Sequence, residues 1–351
     1  MNTLFESYRD ILKENSKWNP TRNPNIEQVF PNVLKFPNSY NFIFEMFFYD
    51  GNTHSLSLDL YKYSKLIPEK RYAHTVSLYL LGIQVAEAIG FDMFNLPMWD
   101  NCSQRNFLHH WATTCLYHDI AYCIEQNNDN FIPVNNKTLD IISDNLGLQY
   151  NLSSKDTTGM IERYYKYRIT AANPKIDHGI VGAMMLYDSL MKRNANMEDI
   201  VETAIMICEK LMYGVTNKAD ILRYSLDIAR HNMWFASNSN DIEKYESFGM
   251  NNLIVRSDGS HKISFKKESI LFLLCLLDTI DPIKAYCEKE AEVVVQAVQL
   301  TIERLNDKLK VTCEDSIGDK IQNQAQNCDD WLNVSVQINE SNSFSITFDI
   351  E

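Results

Sequence analysis

The chain has 351 residues, of which 45% are hydrophobic and 23% are charged, a composition typical of globular proteins rather than disordered ones. Its net charge of −13 argues against a broad surface for long duplex nucleic acid, because phosphate backbones require clustered lysine and arginine. A small phosphorylated ligand remains compatible with this charge if bound metal ions supply positive charge locally.

The first 65 residues are irregular in pattern. Asn-Pro pairs at Asn19-Pro20 and Asn23-Pro24 are typical of turns. Asn2–Glu14 has the pattern of a short helix, and the aromatic stretch Phe42–Tyr49 fits either a strand or a buried helical turn. We expect residues 1–65 to form a segment that wraps around the domain that follows.

Residues 66–290 have the apolar spacing of successive helices, which predicts a helical domain. Gly90 follows the first of them, where a glycine commonly ends a helix. The predicted helices are Tyr72–Ile89, Asn106–Ile124, Asp177–Lys192, Glu198–Tyr213, Lys218–Phe235 and Glu268–Tyr286. Between them, Glu125–Met160 is rich in polar residues and predicts a long loop, and Leu253–Lys267 resembles a hairpin.

Residues 291–351 change to alternating apolar and polar positions, which predicts a small β-β-α-β-β module. Asn306-Asp307 and Ser341-Asn342 are the expected turns, while Glu290–Leu305 fits a helix as well as a strand. The predicted fold class is therefore mainly α: an irregular N-terminal segment, a helical core and a C-terminal α+β module. This module could form a homo-oligomer contact, bind a partner or shape the pocket.

The eight cysteines have no C-x-x-C spacing, which favours reduced thiols over disulfides or a zinc knot. The longest apolar run, Ile270–Leu277, is far shorter than the roughly 20 residues of a membrane helix. The N-terminus lacks the apolar stretch of a signal peptide. We expect a soluble cytoplasmic protein that does not associate with membranes.

Several histidines and carboxylates lie inside apolar helical patterns. His74 lies near the start of its helix, His118-Asp119 ends an apolar run, and Asp278 follows Ile270–Leu277. A carboxylate on an apolar helix is costly unless it is paired or bound to metal. Imidazole and carboxylate ligands together suit divalent Mn, Fe, Ni, Co or Zn. Each residue taken singly could be an ordinary core residue, but their joint occurrence favours a metal centre.

The order His74, His118-Asp119, Asp278 resembles the H…HD…D signature of the HD-domain superfamily of metal-dependent phosphohydrolases, over roughly residues 66–290. Arg71-x-x-His74 and Asp278-x-x-Asp281 also resemble the local contexts of the ligands in that family. The resemblance implies that these four residues hold one divalent metal ion.

Binuclear members of the superfamily carry two further histidines between the HD pair and the last aspartate, where this chain has His178 and His231. By resemblance, these two and Asp119 hold a second ion, with Asp119 bridging. The lysine that follows the HD pair in HD-GYP phosphodiesterases is missing from Ile120-Ala121-Tyr122, and no GYP signature is found. A cyclic-dinucleotide substrate is therefore not supported.

The expected function is hydrolysis of a nucleotide-like phosphomonoester or phosphodiester by a metal-activated water, with His118 and Asp119 at its centre. Nearby cations could neutralise the phosphate, although surface or salt-bridge roles fit them equally: Arg71, Lys175, Arg230 and Lys284. Asp177, Asp227 and Asp281 could orient ligand imidazoles. Two alternatives stay open: a di-iron oxygenase on the same ligands, and a non-enzymatic sensor or assembly protein on an HD scaffold.

Overall fold

A computed structural model describes residues 2–19, 32–35, 38–42, 69–96, 102–120, 239–248, 262–339 and 342–351, with single positions 163, 178, 179, 182, 183, 186 and 230. The fold is mostly helical, with a four-stranded antiparallel sheet at the C-terminus, as the sequence predicts. Among the described residues, no helix combines the length and apolar character needed to cross a membrane. All six described cysteines are free.

Among the described residues, the helices come first along the chain, and the strands follow with one further α-helix between them. The helices are α1 (Leu4–Leu12), α2 (Asn15–Trp18), α3 (Glu69–Ile89), α4 (Gln104–His118), α5 (Ser239–Ser247), α6 (Ser269–Ile280), α7 (Pro282–Ala285), α8 (Ala291–Ala297) and α9 (Lys320–Ala325). Phe91–Met93 and Cys328–Asp330 are short 3-10 helices. The strands are β1 (Val298–Leu305), β2 (Lys308–Asp315), β3 (Ser335–Asn339) and β4 (Ser343–Asp349).

Helix α1 begins with a capping box. The Thr3 hydroxyl accepts from the backbone amide of Glu6, and the Glu6 carboxylate accepts from that of Thr3. Its buried residues Leu4, Tyr8 and Ile11 recur at helical spacing, so one face packs into the core against α8 and β1. The predicted helix Asn2–Glu14 is thus found, slightly shortened.

Helices α3 and α4 lie side by side at an unusually close contact. The Trp111 indole nitrogen on α4 donates to the Tyr79 carbonyl on α3 at 3.1 Å. A Cβ atom on Gly82 would lie 2.0 Å from that nitrogen, so only glycine leaves room for the indole. This contact fixes the separation of the two helices.

Helix α4 ends at His118, six residues earlier than predicted, because Asp119 adopts φ −113° and ψ 2°. The His118 ring nitrogen Nδ1 lies 2.6 Å from the Cys115 carbonyl, one of the last acceptors of the helix. A side chain thus caps the helix end, as histidine commonly does. The residues after Ile120 on this predicted helix lie outside the described ones.

The prediction of a single helix over Glu268–Tyr286 is also wrong, because the chain breaks at Asp281 into two helices, α6 and α7. Asp281 is extended, with φ −64° and ψ 118°, because the ring of Pro282 disfavours helical geometry in the residue before it. The Asp281 carboxylate then accepts from the Lys284 amide at 3.0 Å and caps α7.

The C-terminal sheet has the strand order β1-β2-β4-β3, and all its neighbours are antiparallel. Both expectations for Glu290–Leu305 are partly right, because the stretch is helix α8 followed by strand β1. Asn306 and Asn342 take the predicted turns with φ 57°. Phe272 on α6 packs against Phe348 on β4, with ring centroids 4.7 Å apart. One core cluster runs from Leu4 to Ile350 and includes all three predicted segments.

Other predicted elements are described only in part. Positions 178, 179, 182, 183 and 186 of the predicted helix Asp177–Lys192 are helical. Glu198–Tyr213, the loop Glu125–Met160, most of Lys218–Phe235 and the hairpin up to residue 261 lie outside the described residues.

Gly82→Ala should destabilise the protein even though alanine favours a helix by about 1 kcal/mol over glycine. The new Cβ would displace the Trp111 indole, and overpacking of this kind costs about 1–3 kcal/mol. Urea unfolding measures the difference. In a Trp111→Phe background the cost of Gly82→Ala should shrink; equal costs in both backgrounds would rule out the indole contact as the cause.

Candidate metal centre

Four side chains from three helices meet in the core. His74 lies in the second turn of α3, His118 is the last residue of α4, Asp119 follows it, and Asp278 lies near the end of α6. The Nε2 atoms of His74 and His118 are 3.2 Å apart, and Asp278 Oδ1 lies 3.2 Å from the first and 3.8 Å from the second. Both imidazoles are buried, and the Asp278 side chain is 14% exposed.

The partners of the two Nδ1 atoms determine where the protons lie. His118 Nδ1 meets the Cys115 carbonyl, which can only accept, so this nitrogen carries the proton. His74 Nδ1 lies 2.7 Å from Asp281 Oδ2, which also accepts from the backbone amide of Lys284. A carboxylate oxygen in that role makes His74 Nδ1 a donor. In their neutral forms, both rings therefore present the Nε2 lone pair to each other.

Three acceptor atoms thus converge at one point: two Nε2 atoms and Asp278 Oδ1. Asp278 Oδ1 is buried and receives no hydrogen bond from the part of the chain that the structure describes. A buried acceptor left in this way costs about 1–3 kcal/mol, so the cluster favours a cation at its centre. A proton on His74 could serve only one acceptor at a time, whereas one ion serves all three.

The spacing also suits a metal ion. Ligand atoms about 2.1 Å from one tetrahedral ion lie about 3.4 Å from each other, close to the 3.2–3.8 Å found here. The donor set of two imidazoles and a carboxylate fits a divalent transition metal. His74, His118 and Asp278 could therefore hold an ion without rearrangement of their helices.

Asp119 directs its two carboxylate oxygens to different histidines. Oδ2 lies 3.6 Å from His74 Nε2 and 3.7 Å from His118 Nε2, while Oδ1 lies 3.3 Å from His178 Nε2. A bridging carboxylate between two metal sites requires this arrangement. His231, the remaining ligand of the predicted second site, lies outside the described residues.

A close backbone contact brings His178 to this position, and the sequence analysis did not identify it. Gly182 follows His178 by one helical turn, and a Cβ there would lie 2.2 Å from the Tyr117 carbonyl oxygen. Only glycine lets this helical segment lie against the end of α4 beside His118. The sequence feature that could have indicated this contact is a glycine four residues after His178, one turn further along the same face of the predicted helix.

Two cations lie against the carboxylates of the cluster. Arg71 Nη1 lies 2.8 Å from Asp119 Oδ2, and Lys284 Nζ lies 2.5 Å from Asp278 Oδ2. Their side chains are 19% and 34% exposed, so they lie on the solvent side of the centre. Arg230 instead forms a salt bridge with Glu268, the structural role that the sequence left open for it. Lys175, Asp177 and Asp227 lie outside the described residues.

The charges of the cluster shift its pKa values in opposite directions. Burial lowers the pKa of His74, but the neighbouring carboxylates of Asp278 and Asp281 outweigh burial and raise this pKa to about 9. Burial lowers the pKa of His118 to about 4, despite the nearby carboxylates. Burial raises the pKa of Asp119 and Asp278, yet neighbouring imidazoles and cations hold both well below the usual range. Both carboxylates are therefore ionised at neutral pH, as metal ligands must be.

A cavity of about 470 Å³ lies beside the neighbouring face of α3, where Lys70, Ala73 and Ile283 contribute to its lining. None of the four cluster residues is among its described lining residues. We place the candidate site at the converging donor atoms rather than at this cavity. The donors together form a set of metal ligands, whereas the residues that line the cavity do not.

Comparison of the chain with protein-family models, with curated proteins and with solved structures finds no match.

Metal affinity should rise with pH, because His74 must lose its proton to bind an ion. With a His74 pKa of about 9 in the metal-free protein, affinity should increase about tenfold per pH unit between pH 7 and 9 and then level off. Competition with a chelator of known affinity measures this dependence for Mn²⁺. A profile that is flat above pH 7 would contradict a protonated His74.

The stability of the metal-free protein should also depend on pH, through the shifted pKa values of His74 and His118. The raised pKa of His74 stabilises the folded state fully below pH 6.5, and this stabilisation is lost as the pH rises to about 9. His118 acts in the opposite sense: its pKa of about 4 means that protonation opposes folding as the pH falls below 6.5. Urea unfolding in chelator should therefore show maximal stability near pH 6–7 if these two groups dominate.

Metal stoichiometry should separate the cluster residues. Asp119→Ala should lose all bound metal, because its two oxygens face both histidine groups, and His178→Ala should lose only part of it. His110→Asn is a matched control, since His110 is also a fully buried histidine of α4 but lies outside the cluster. Elemental analysis of the purified variants gives the result; Asp119→Ala with the native metal content would exclude the bridging role.

Proposed function

We propose that this chain is a metal-dependent phosphoester hydrolase with a helical core of the HD type. The observation that carries the proposal is the convergence of two imidazole Nε2 atoms and a buried carboxylate oxygen at metal-ligand spacing. The residues that meet there, with Asp119 beside them, are those of the H…HD…D resemblance. The expected substrate is a nucleotide-like phosphomonoester or phosphodiester.

The donor set determines what a bound ion could do here. A divalent metal held by imidazole and carboxylate polarises a phosphoryl oxygen and lowers the pKa of water, the two requirements of phosphoester hydrolysis. His74, His118, Asp278 and Asp119 would hold the first ion, and Asp119 with His178 would take part in a second site. The ionised carboxylates stay deprotonated over the working pH range.

Arg71 and Lys284 suit a role in substrate binding. Each pairs with a carboxylate of the cluster, and each has an exposed part on the solvent side. Burial lowers the pKa of Lys284, but Asp278 and Asp119 outweigh burial and raise it, so the ammonium stays charged. Among the described residues of this acidic chain, these two cations are the ones beside the cluster that could bind a substrate phosphate.

Hydrolysis of bis(p-nitrophenyl) phosphate should require added divalent metal and stop in chelator. Mn²⁺ or Ni²⁺ should support a higher rate than Mg²⁺, since imidazole ligands favour these ions.

Lys284→Met should lower kcat/KM by about tenfold or more while metal binding persists, because a charged hydrogen bond contributes about 1.5–3 kcal/mol. Lys289→Met, which changes an exposed lysine five residues further on, is the matched control.

Three outcomes would contradict the proposal. Hydrolysis that continues unchanged in chelator would separate the activity from the cluster. A protein that holds iron, consumes O₂ and leaves phosphoesters intact would instead support an oxygenase on the same ligands. Metal bound with neither activity would support a sensor or assembly role.

A further inference from the structure

A chain of buried hydrogen bonds runs from the N-terminal helix into the candidate metal centre. Tyr8 on α1 places its hydroxyl 2.8 Å from the Ser77 hydroxyl on α3. Ser77 in turn donates to Asp281 Oδ1, and Asp281 Oδ2 lies 2.7 Å from His74 Nδ1. All four side chains are at most 2% exposed. Residues far apart in sequence are thus joined in one polar path through an apolar core.

The direction of each hydrogen bond follows from the protons available. Asp281 accepts at both oxygens, so the single proton of the Ser77 hydroxyl points to it. Ser77 therefore accepts from Tyr8, whose hydroxyl must be the donor. At the other end, His74 Nδ1 donates to Asp281, which leaves Nε2 as the acceptor that faces the cluster.

We infer that Tyr8 is a positioning residue for the metal ligand His74, acting through Ser77 and Asp281. This inference deepens the proposed function, because it assigns α1 to the same site. A carboxylate that holds the second nitrogen of a ligand histidine fixes its tautomer and ring orientation and makes it a better ligand. The Lys284 amide holds the Asp281 oxygen that faces His74, and the Tyr8–Ser77 pair holds the other oxygen, so both together fix the carboxylate.

The location of α1 explains how this support is kept rigid. Thr3, immediately before α1, forms an isolated antiparallel bridge with Gln299 on β1, and the helix packs against α8 and β1. The C-terminal module thus holds α1, and α1 holds Tyr8. This gives the α+β module a part in the metal centre although no residue of β1–β4 belongs to the cluster.

The experiment compares Tyr8→Phe and Ser77→Ala with Tyr79→Phe. Tyr79 is the matched control because its hydroxyl is also buried and donates a hydrogen bond, to the Trp18 carbonyl, but does not join the path to His74. Loss of any of these bonds lowers stability somewhat. Only Tyr8→Phe and Ser77→Ala, which interrupt the hydrogen-bonded path, should change the metal affinity and the ring chemical shifts of His74.

The readouts are the Mn²⁺ dissociation constant, the unfolding temperature of the metal-free protein and the ¹⁵N chemical shifts of the His74 ring. Mutating a group that orients a metal ligand costs about 10–100-fold in affinity, so Tyr8→Phe, one step removed, should weaken Mn²⁺ binding about 3–10-fold. Ser77→Ala should weaken it by at least as much. Both should shift the His74 ring nitrogens, while Tyr79→Phe should leave affinity and ring shifts at native values.

The outcomes separate this inference from the proposed function. Native affinity and ring shifts in Tyr8→Phe, or equal losses in Tyr8→Phe and Tyr79→Phe, would overturn the inference alone. Weaker Mn²⁺ binding in Tyr8→Phe, with a native protein that binds metal but hydrolyses no phosphoester, would support the inference and overturn the proposed function. A native protein that binds no divalent ion would overturn both.

Discussion

The centre of this protein depends on one electrostatic constraint: two imidazole lone pairs and a carboxylate oxygen face one another in the core. Their mutual approach is repulsive unless a positive charge lies among them, either a metal ion or the proton that His74 carries below pH 9. The Cys115 carbonyl and the Asp281 carboxylate enforce it, because each accepts a hydrogen bond from one Nδ1–H group and so leaves Nε2 directed into the cluster. The partners outside the cluster thus direct both Nε2 atoms inward, as the proposed metal site requires.

The surrounding fold is arranged so that this constraint can be met. Gly82 lets α3 approach α4 closely, and Gly182 brings His178 against the end of α4. The break before Pro282 turns Asp281 back under His74, whereas a continuous helix would have carried Asp281 further along the axis of α6. The two glycines and the proline therefore determine where the donor side chains of the cluster lie.

Sequence reasoning was most reliable where one property repeats along the chain. The α1 helix, the α3 helix with its glycine end, and the alternating strands of the C-terminal module were all predicted from such repetition. It failed at the ends of α4 and α6, because a side-chain cap by His118 and the ring of Pro282 ended helices whose apolar pattern continues. The residue at which a helix ends depends on single local contacts, which a periodic pattern of apolar residues does not reveal.

The sequence by itself determined the type of donor: histidines and carboxylates set in apolar helices, whose burial is costly unless something pairs with them. It also pointed to Asp281 as a residue that could orient an imidazole. It could not reveal Tyr8 and Ser77, because a tyrosine and a serine on apolar helical faces are ordinary in any core. Only the tertiary structure decided which residues meet. The hydrogen bonds from α3 to the α6–α7 break join positions more than 200 residues apart, and the one from α1 to α3 joins positions 69 apart, because the folded chain brings together residues whose separation follows no periodic pattern.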